Sequence, residues 1–235
     1  MKLSIITPVL DSHEIVRRQV LHYGMMDLPD DVEIIYVDDG SDPPIENFEF
    51  KNFSIYATGD KRPWTEHIAR NKGARLAKGE YLLIIDVDYI LPKQTIMKVR
   101  EFTGDKMNFK RWFGILNKNG EIDARSDALR AWGLKERWIT RGWVSGHRSQ
   151  FAIRKSLFEE MGGYKEELDT GTAHPLGGGA GQGFFRIWQQ WEKGGRVILA
   201  EDKPTVYMFP SGKFCEGLDY NPFGLFHNLS RECGT

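Results

Sequence analysis

The octapeptide Tyr81-Leu82-Leu83-Ile84-Ile85-Asp86-Val87-Asp88 decides how this chain is read. Its five leading apolar residues fall far short of the roughly 20 that a transmembrane helix needs. Bounded as they are, they predict a short strand buried on both faces. Gly79 stops the helical segment before it and turns the chain into the strand. The strand then delivers two carboxylates, one residue apart, at its carboxyl end. Two hard oxygen ligands at one point suit Mg²⁺ or Mn²⁺, which take few ligands from protein and the rest from phosphates and water.

Upstream, apolar strands alternate with amphipathic helices, the pattern of a mainly parallel sheet covered on both faces. Leu3–Val9 reads as the first strand, residues 13–23 as a helix, and residues 32–37 as a β-branched strand ending in Asp38-Asp39-Gly40-Ser41. Residues 53–58 read as a third strand. Residues 65–78 form a helix with Ile68, Ala69, Ala74 and Leu76 toward the sheet. In open parallel sheets ligands bind outside the carboxyl ends of the strands, so Asp38, Asp39, Asp86 and Asp88 are expected to converge on one rim. Four carboxylates at two strand ends are hard to account for as a solvated surface.

Downstream of Asp88, Pro92 sits where a helix begins, and residues 95–102 carry its apolar face. The alternation then weakens. Asn119-Gly120 suggests a hairpin turn, residues 149–154 a strand leading into a short helix at 155–161, and residues 170–183 a loop holding the run Gly177-Gly178-Gly179-Ala180-Gly181-Gln182-Gly183. A helix over 184–193 and strands over 196–200 and 205–209 follow, before a tail with little periodicity. The glycine run has neither the G-x-G-x-x-G spacing nor a first βαβ strand before it, which argues against a dinucleotide site, and no phosphate-binding P-loop occurs.

With 235 residues, 40% hydrophobic and 28% charged, and a mean hydropathy of -0.46, the chain is expected to be one soluble globular domain over 1–235. Cys215 and Cys233 are too few for a disulfide scaffold and lack zinc spacing, so reduced thiols in a cytoplasmic protein, free or peripheral to a membrane, are expected. The net charge of -1 hides an asymmetry: residues 98–155 hold 14 Lys or Arg against 6 Asp or Glu. That surplus suits an anionic ligand, although any single one of these side chains is ordinarily a solvated charge. Trp132, Trp138 and Trp143, in the same region, are candidates to stack on a sugar ring, with core or interface packing as the alternative.

In their order along the chain, these motifs resemble the GT-A fold glycosyltransferases, especially family 2. The resemblance rests on Ser4-Ile5-Ile6-Thr7-Pro8-Val9, Val37-Asp38-Asp39-Gly40-Ser41, Ala69-Arg70-Asn71-Lys72-Gly73-Ala74-Arg75 and Asp86-Val87-Asp88. A second block, Phe151-Ala152-Ile153-Arg154-Lys155 through Met161-Gly162-Gly163-Tyr164, is similar to the acceptor-side region of galactosyltransferase-like members. It implies a Rossmann-like α/β fold with a mixed, mainly parallel sheet. Residues 1–101 would form the nucleotide-sugar-binding half, and residues 102–235 the acceptor-side half and tail. The implied activity is metal-dependent transfer of a sugar from a nucleotide-diphosphate sugar, a UDP-sugar first among candidates, to a hydroxyl of a glycan or related acceptor. Thr7, Pro8 and Val9 would line the base pocket, and Asp39, with Asp38 beside it, would bind base or ribose. Arg70 would lie near the nucleotide, Asp86 near ribose or donor sugar, and Asp88 at a Mn²⁺ or Mg²⁺ ion with Asp86 and His227 as further ligands.

The chain departs from the family where the acceptor is activated. Many inverting relatives carry Glu-Asp after a glycine-rich turn, whereas here the stretch is Gly181-Gln182-Gly183. Gln182 cannot serve as a general base. Asp169 is the first alternative, with Glu167 and Glu201 behind it; retention of configuration, with the departing phosphate as base, is another. Loss of catalysis, leaving a non-catalytic sugar-nucleotide or glycan-binding module, is the third. Met208 and Phe209 stand where relatives often carry a metal-binding His, which is why His227 enters as a ligand from the tail. No nucleic-acid motif accompanies the basic segment.

Overall fold

A computed structural model describes residues 1–60, 65–144, 150–167, 180–211 and 214–215, with backbone alone at 180–182. In chain order the elements begin β1 (Leu3–Val9), α1 (His13–Gly24), β2 (Val32–Asp38), β3 (Phe53–Ala57), α2 (Glu66–Leu76), β4 (Tyr81–Ile84), β5 (Tyr89–Ile90), α3 (Lys93–Glu101) and β6 (Lys106–Asn108). They continue with β7 (Lys110–Phe113), β8 (Ile115–Leu116), β9 (Ile122–Asp123), α4 (Ser126–Ala131), α5 (Glu136–Arg141) and β10 (Trp143–Val144). The last are β11 (Phe151–Arg154), α6 (Lys155–Glu160), α7 (Ala180–Lys193) and β12 (Thr205–Met208).

The main sheet has the order β3-β2-β1-β4-β11-β6. Its first four strands run parallel, and β11 lies antiparallel between β4 and β6. The side-chain period of two divides the core into layers. Leu3, Ile5, Ile34, Tyr36, Tyr81 and Leu83 pack on one face with α1 and α3, and Ile6, Ile35, Val37, Leu82 and Ile84 on the other with α2, α6 and α7. Strands β1, β2 and β4 are buried along their whole length because both faces are covered.

Two glycines permit the close approach of this second layer. A Cβ on Gly73, in the middle of α2, would lie 2.4 Å from Ile6 Cγ2, and one on Gly79 would lie 2.5 Å from the Ser4 amide nitrogen. A smaller sheet, β10-β7-β12-β5, stands beside the main one. It ties the strand that follows Asp88 to the second half of the chain. Lys106 points into the α7 layer, almost fully buried, with its Nζ 4.7 Å from the ring centroids of both Phe151 and Trp188. Burial pushes this amine down to about 8.

Several expectations need correction. The glycine-rich run does not stay a loop as far as Gly183: α7 begins at Ala180, so Gly181, Gln182 and Gly183 are in its first turn. The strong amphipathic repeat Phe184, Ile187, Trp188, Trp191 carries the helix back past glycines that alone would disfavour it. Residues 196–200 contribute one bridge, Lys106 to Leu199, and no strand. Leu76 lies at the exposed end of α2 instead of facing the sheet. Trp132 is core, its indole N–H donating to the Pro210 carbonyl at 3.0 Å, so it is not a sugar platform. The hairpin at Asn119-Gly120 is present between β8 and β9, with Gly120 at positive φ.

Candidate active site

Strand β1 lies between β2 and β4, so the two acidic strand ends flank Thr7, Pro8 and Val9. Each carboxylate has a different environment. Asp38 accepts backbone N–H groups from Gly40 (3.2 Å), Ser41 (2.9 Å) and Ile45 (2.9 Å), which folds the loop after β2 around it. Asp39 is held by its own amide, which donates to the Val9 carbonyl at 2.8 Å, and by the Thr65 hydroxyl, which donates to Oδ1 at 2.5 Å. Burial raises its carboxyl to about 6; the Thr65 hydrogen bond opposes this and the nearby Glu66 charge adds to it. The Thr7 hydroxyl is buried beside these groups with no hydrogen-bond partner among the described residues.

Asp86 has one oxygen paired with the Arg70 guanidinium and the other accepting from the Gln150 amide. Arg70 is not a helix-surface charge: it is buried, with its guanidinium 5.5 Å from the Tyr164 ring centroid. Burial disfavours that charge, yet the charge and hydrogen bond of Asp86, with Tyr164 and Glu66, together outweigh the penalty and hold the guanidinium above its ordinary value. The Gln150 amide is oriented unambiguously, because only its NH₂ can donate to a carboxylate.

Asp88 differs from the other three: among the described residues neither a side chain nor a backbone amide other than its own hydrogen-bonds to its carboxylate. Burial, and then repulsion from Asp86, push it well above the usual carboxylate range, against the opposing charge of Arg111. Its backbone is fixed from two directions. Gln19 on α1 donates to the carbonyls of Val87 and Tyr89, at 2.8 Å each, and the Phe209 amide at the end of β12 donates to the Asp88 carbonyl at 2.8 Å. Gln19 is itself oriented by the Tyr36 hydroxyl. A rigidly presented carboxylate whose one donor is its own amide, and which is destabilised by a neighbouring negative charge, fits a divalent cation. Asp86 is already satisfied by Arg70 and Gln150, so Asp88 is the better-fitted ligand. Among the described residues no cluster of three or more His, Cys, Asp or Glu side chains surrounds such an ion.

The Asn-containing motif on α2 and the Gly-Gly-Tyr block meet directly. Asn71 donates to the Tyr164 carbonyl (2.7 Å) and to Glu166 (2.9 Å), and accepts from the Tyr164 amide (2.9 Å). Gly163, at φ 61°, passes so close that a Cβ would lie 2.8 Å from Asn71 Oδ1. Asp169 and His227 lie outside the described residues, as does the side chain of Gln182. Gln150, Gln19 and Thr65, which hold Asp86, Asp88 and Asp39, carry no signal in the sequence, because each acts across a long separation in the chain.

A mainly parallel sheet with acidic strand ends on either side of its first strand is the architecture of the GT-A glycosyltransferases. The chain belongs to glycosyl transferase family 2, whose model matches residues 4–162. No curated protein matches it by sequence. Among solved structures it is similar to residues 1–349 of TarS from S. aureus, with a TM-score of 0.52 and 17% identity over 89% of this chain and 61% of that one. The same TarS segment in complex with UDP-GlcNAc gives a TM-score of 0.55 and 17% identity, over 94% and 62%. The mannosyltransferase PcManGT from Pyrobaculum calidifontis, in complex with GDP-Man and Mn²⁺, gives 0.54 and 14%, over 90% and 58%. At such identities the likeness is one of fold. The chain spans about three-fifths of the length of these three structures.

Proposed function

We propose that the chain transfers a sugar from a nucleotide-diphosphate sugar, a UDP-sugar first, to a hydroxyl of a glycan or related acceptor, with Mn²⁺ or Mg²⁺ bound at Asp88. The observation that carries this is the Asp88 carboxylate, to which no described side chain hydrogen-bonds, beside an Asp86 already satisfied by Arg70 and Gln150. The ion would neutralise charge on the departing diphosphate, a stabilisation of several kcal/mol.

The protein groups divide the remaining work. Asp39, at the end of β2 against Val9, accepts hydrogen bonds from the nucleoside, and the backbone of Thr7, Pro8 and Val9 walls the base. Asp86, fixed in one rotamer, keeps lone pairs for a ribose or donor-sugar hydroxyl, and its side chain is 30% exposed, enough to reach one. Arg70 holds the Asp86 carboxylate in place and adds positive charge to a site that receives an anionic ligand. Asp38 supports the loop after β2, and its three backbone donors leave it little further capacity. Asp169 remains the proposed acceptor base, with His227 as an additional metal ligand.

Titrating nucleotide and Mn²⁺ into wild type and Asp88→Asn tests the reading, with donor turnover measured alongside. The variant is expected to lose metal-dependent nucleotide binding and nearly all transfer. Persistence of both in Asp88→Asn would remove Asp88 from the role. Tight nucleotide binding without turnover by the wild type, over a broad acceptor panel, would favour the non-catalytic module instead.

A further inference from the structure

The donor site leaves the basic, Trp-rich middle of the chain unused, and the small sheet explains where those residues go. Strand β7 alternates cleanly: Arg111 and Phe113 are buried beneath it, whereas Lys110 and Trp112 stand on the outer face. Trp112 is paired directly opposite Trp143 on the edge strand β10, so both indoles share that outer face, and they are 40% and 45% exposed. Gly142, at φ 74°, gives Trp112 room to lie over the chain, since a Cβ there would be 2.8 Å from its ring.

Around these indoles is a rim of cations. The Arg141 guanidinium lies 4.3 Å from the Trp143 ring centroid, and Arg137, one turn earlier on α5, shares the Trp138 ring with it at 5.3 and 5.5 Å. Lys110, Arg137 and Arg141 are exposed, and none is ion-paired with a described carboxylate. Other surface cations such as Arg17, Lys98, Arg130 and Arg196 do have acidic partners. Exposed aromatic area and unpaired positive charge therefore stand side by side on this face, at Trp112, Trp143, Lys110 and Arg141.

We propose that this face docks on the surface of an anionic lipid bilayer. Indoles with one apolar and one polar side settle at the level of lipid headgroups. Lys and Arg side chains beside them lay their stems along apolar surface while their charges meet anionic headgroups. Charge decides against a second copy of the chain. A symmetric contact would bring the same patch onto itself and set three cations against three. On the neighbouring strand β12 the half-exposed Thr205 and Tyr207 share this face, and none of the residues of β7, β10 and β12 is a carboxylate, which suits a surface of anionic headgroups. Attachment here is peripheral, and no helix among the described residues is long and apolar enough to cross a membrane.

The test is co-sedimentation of the full chain with vesicles of phosphatidylcholine alone and of equimolar phosphatidylcholine and phosphatidylglycerol. Quenching of tryptophan fluorescence by brominated acyl chains is read in parallel. Binding to the anionic vesicles only, weakened by salt, is expected. Each cation contributes about fivefold in partitioning, so K110Q/R137Q/R141Q should bind about a hundredfold more weakly. Trp143→Ala should lose part of the quenching. Absence of sedimentation with the anionic vesicles, equal binding to neutral ones, or a triple variant that binds like wild type would overturn the proposal. So would binding of a single-stranded oligonucleotide or an oligouronate through Trp112 and Trp143 with no vesicle binding. Because wild type is compared on two lipid compositions, the outcome does not depend on how well a variant folds.

Discussion

Replacing Gly73 with alanine should destabilise this protein, although the position is in the interior of a helix. On an exposed helix the same change stabilises by about 1 kcal/mol, because alanine is the better helix former. Here the new methyl carbon would lie 2.4 Å from Ile6 Cγ2 and 3.4 Å from Val37 Cγ2. Ile6 is fully buried in the central strand, and its Cγ2 is attached directly to the β-carbon, so it cannot swing aside. Overpacking of this kind costs about 1–3 kcal/mol, and offsetting the propensity gain of about 1 kcal/mol leaves a net loss of up to about 2 kcal/mol. For a chain of this length each 1 kcal/mol moves the melting temperature by about 2–4 °C. Urea denaturation followed by tryptophan fluorescence measures it directly. Ile6→Ala supplies the control: it removes Cγ2, so in the double variant the Gly73→Ala penalty should fall, with a coupling of about 1 kcal/mol. The affinity for nucleotide should fall as well, since α2 carries Arg70. A rise in the denaturation midpoint of Gly73→Ala, or strict additivity with Ile6→Ala, would refute the packing argument.

Arg70→Met should lower stability by about 2 kcal/mol in the same urea assay. That is below the range for a fully buried broken pair because Asp86 is 30% exposed and can rehydrate; nucleotide titration should also show weaker binding. For Asp39, the folded-state value of about 6 lies above the ordinary 3.8. Its contribution to stability is therefore fully present below pH 3.8 and is lost as pH rises through about 6, on the order of 2–3 kcal/mol in all. Denaturation midpoints of wild type and Asp39→Asn between pH 4 and pH 7, limits bracketing the shift to about 6, should diverge accordingly. A ligand that hydrogen-bonds the ionised form shifts the balance the other way. Uridine-nucleotide affinity should tighten as pH rises through about 6 in wild type, with a flat profile in Asp39→Asn.

What could be read from the chain is what depends on local pattern. The largely apolar strands β1, β2 and β4, interrupted only by residues such as Ser4, Thr7 and Glu33, pointed to a covered parallel sheet and placed its acidic rim. The start of α7 was hidden because glycine frequency is a local signal, whereas Phe184 and Trp188 hold the helix through contacts with Phe151 and neighbouring core residues. The small sheet was equally hidden: β5 and β10 are two residues each, too short for any periodicity, and exist through pairing with β7 and β12. Within the site, the acidic side chains were legible by type and spacing. Their unequal states were not, because Arg70, Gln150 and Thr65 reach them only in three dimensions.

The central position of β4 has a consequence for modularity. This strand takes one neighbour, β1, from the first hundred residues and the other, β11, from the second half of the chain. On the adjacent helix, Gly73 fits against the β1 side, Arg70 braces Asp86, and Asn71 reaches the turn at Tyr164 in the second half. A fragment ending near residue 101 would leave β4 as an open edge and Asn71 without its backbone partners. The first hundred residues therefore cannot be exchanged between proteins as a cassette, and grafting them onto another scaffold would have to carry β11 and the Gly162–Tyr164 turn with them.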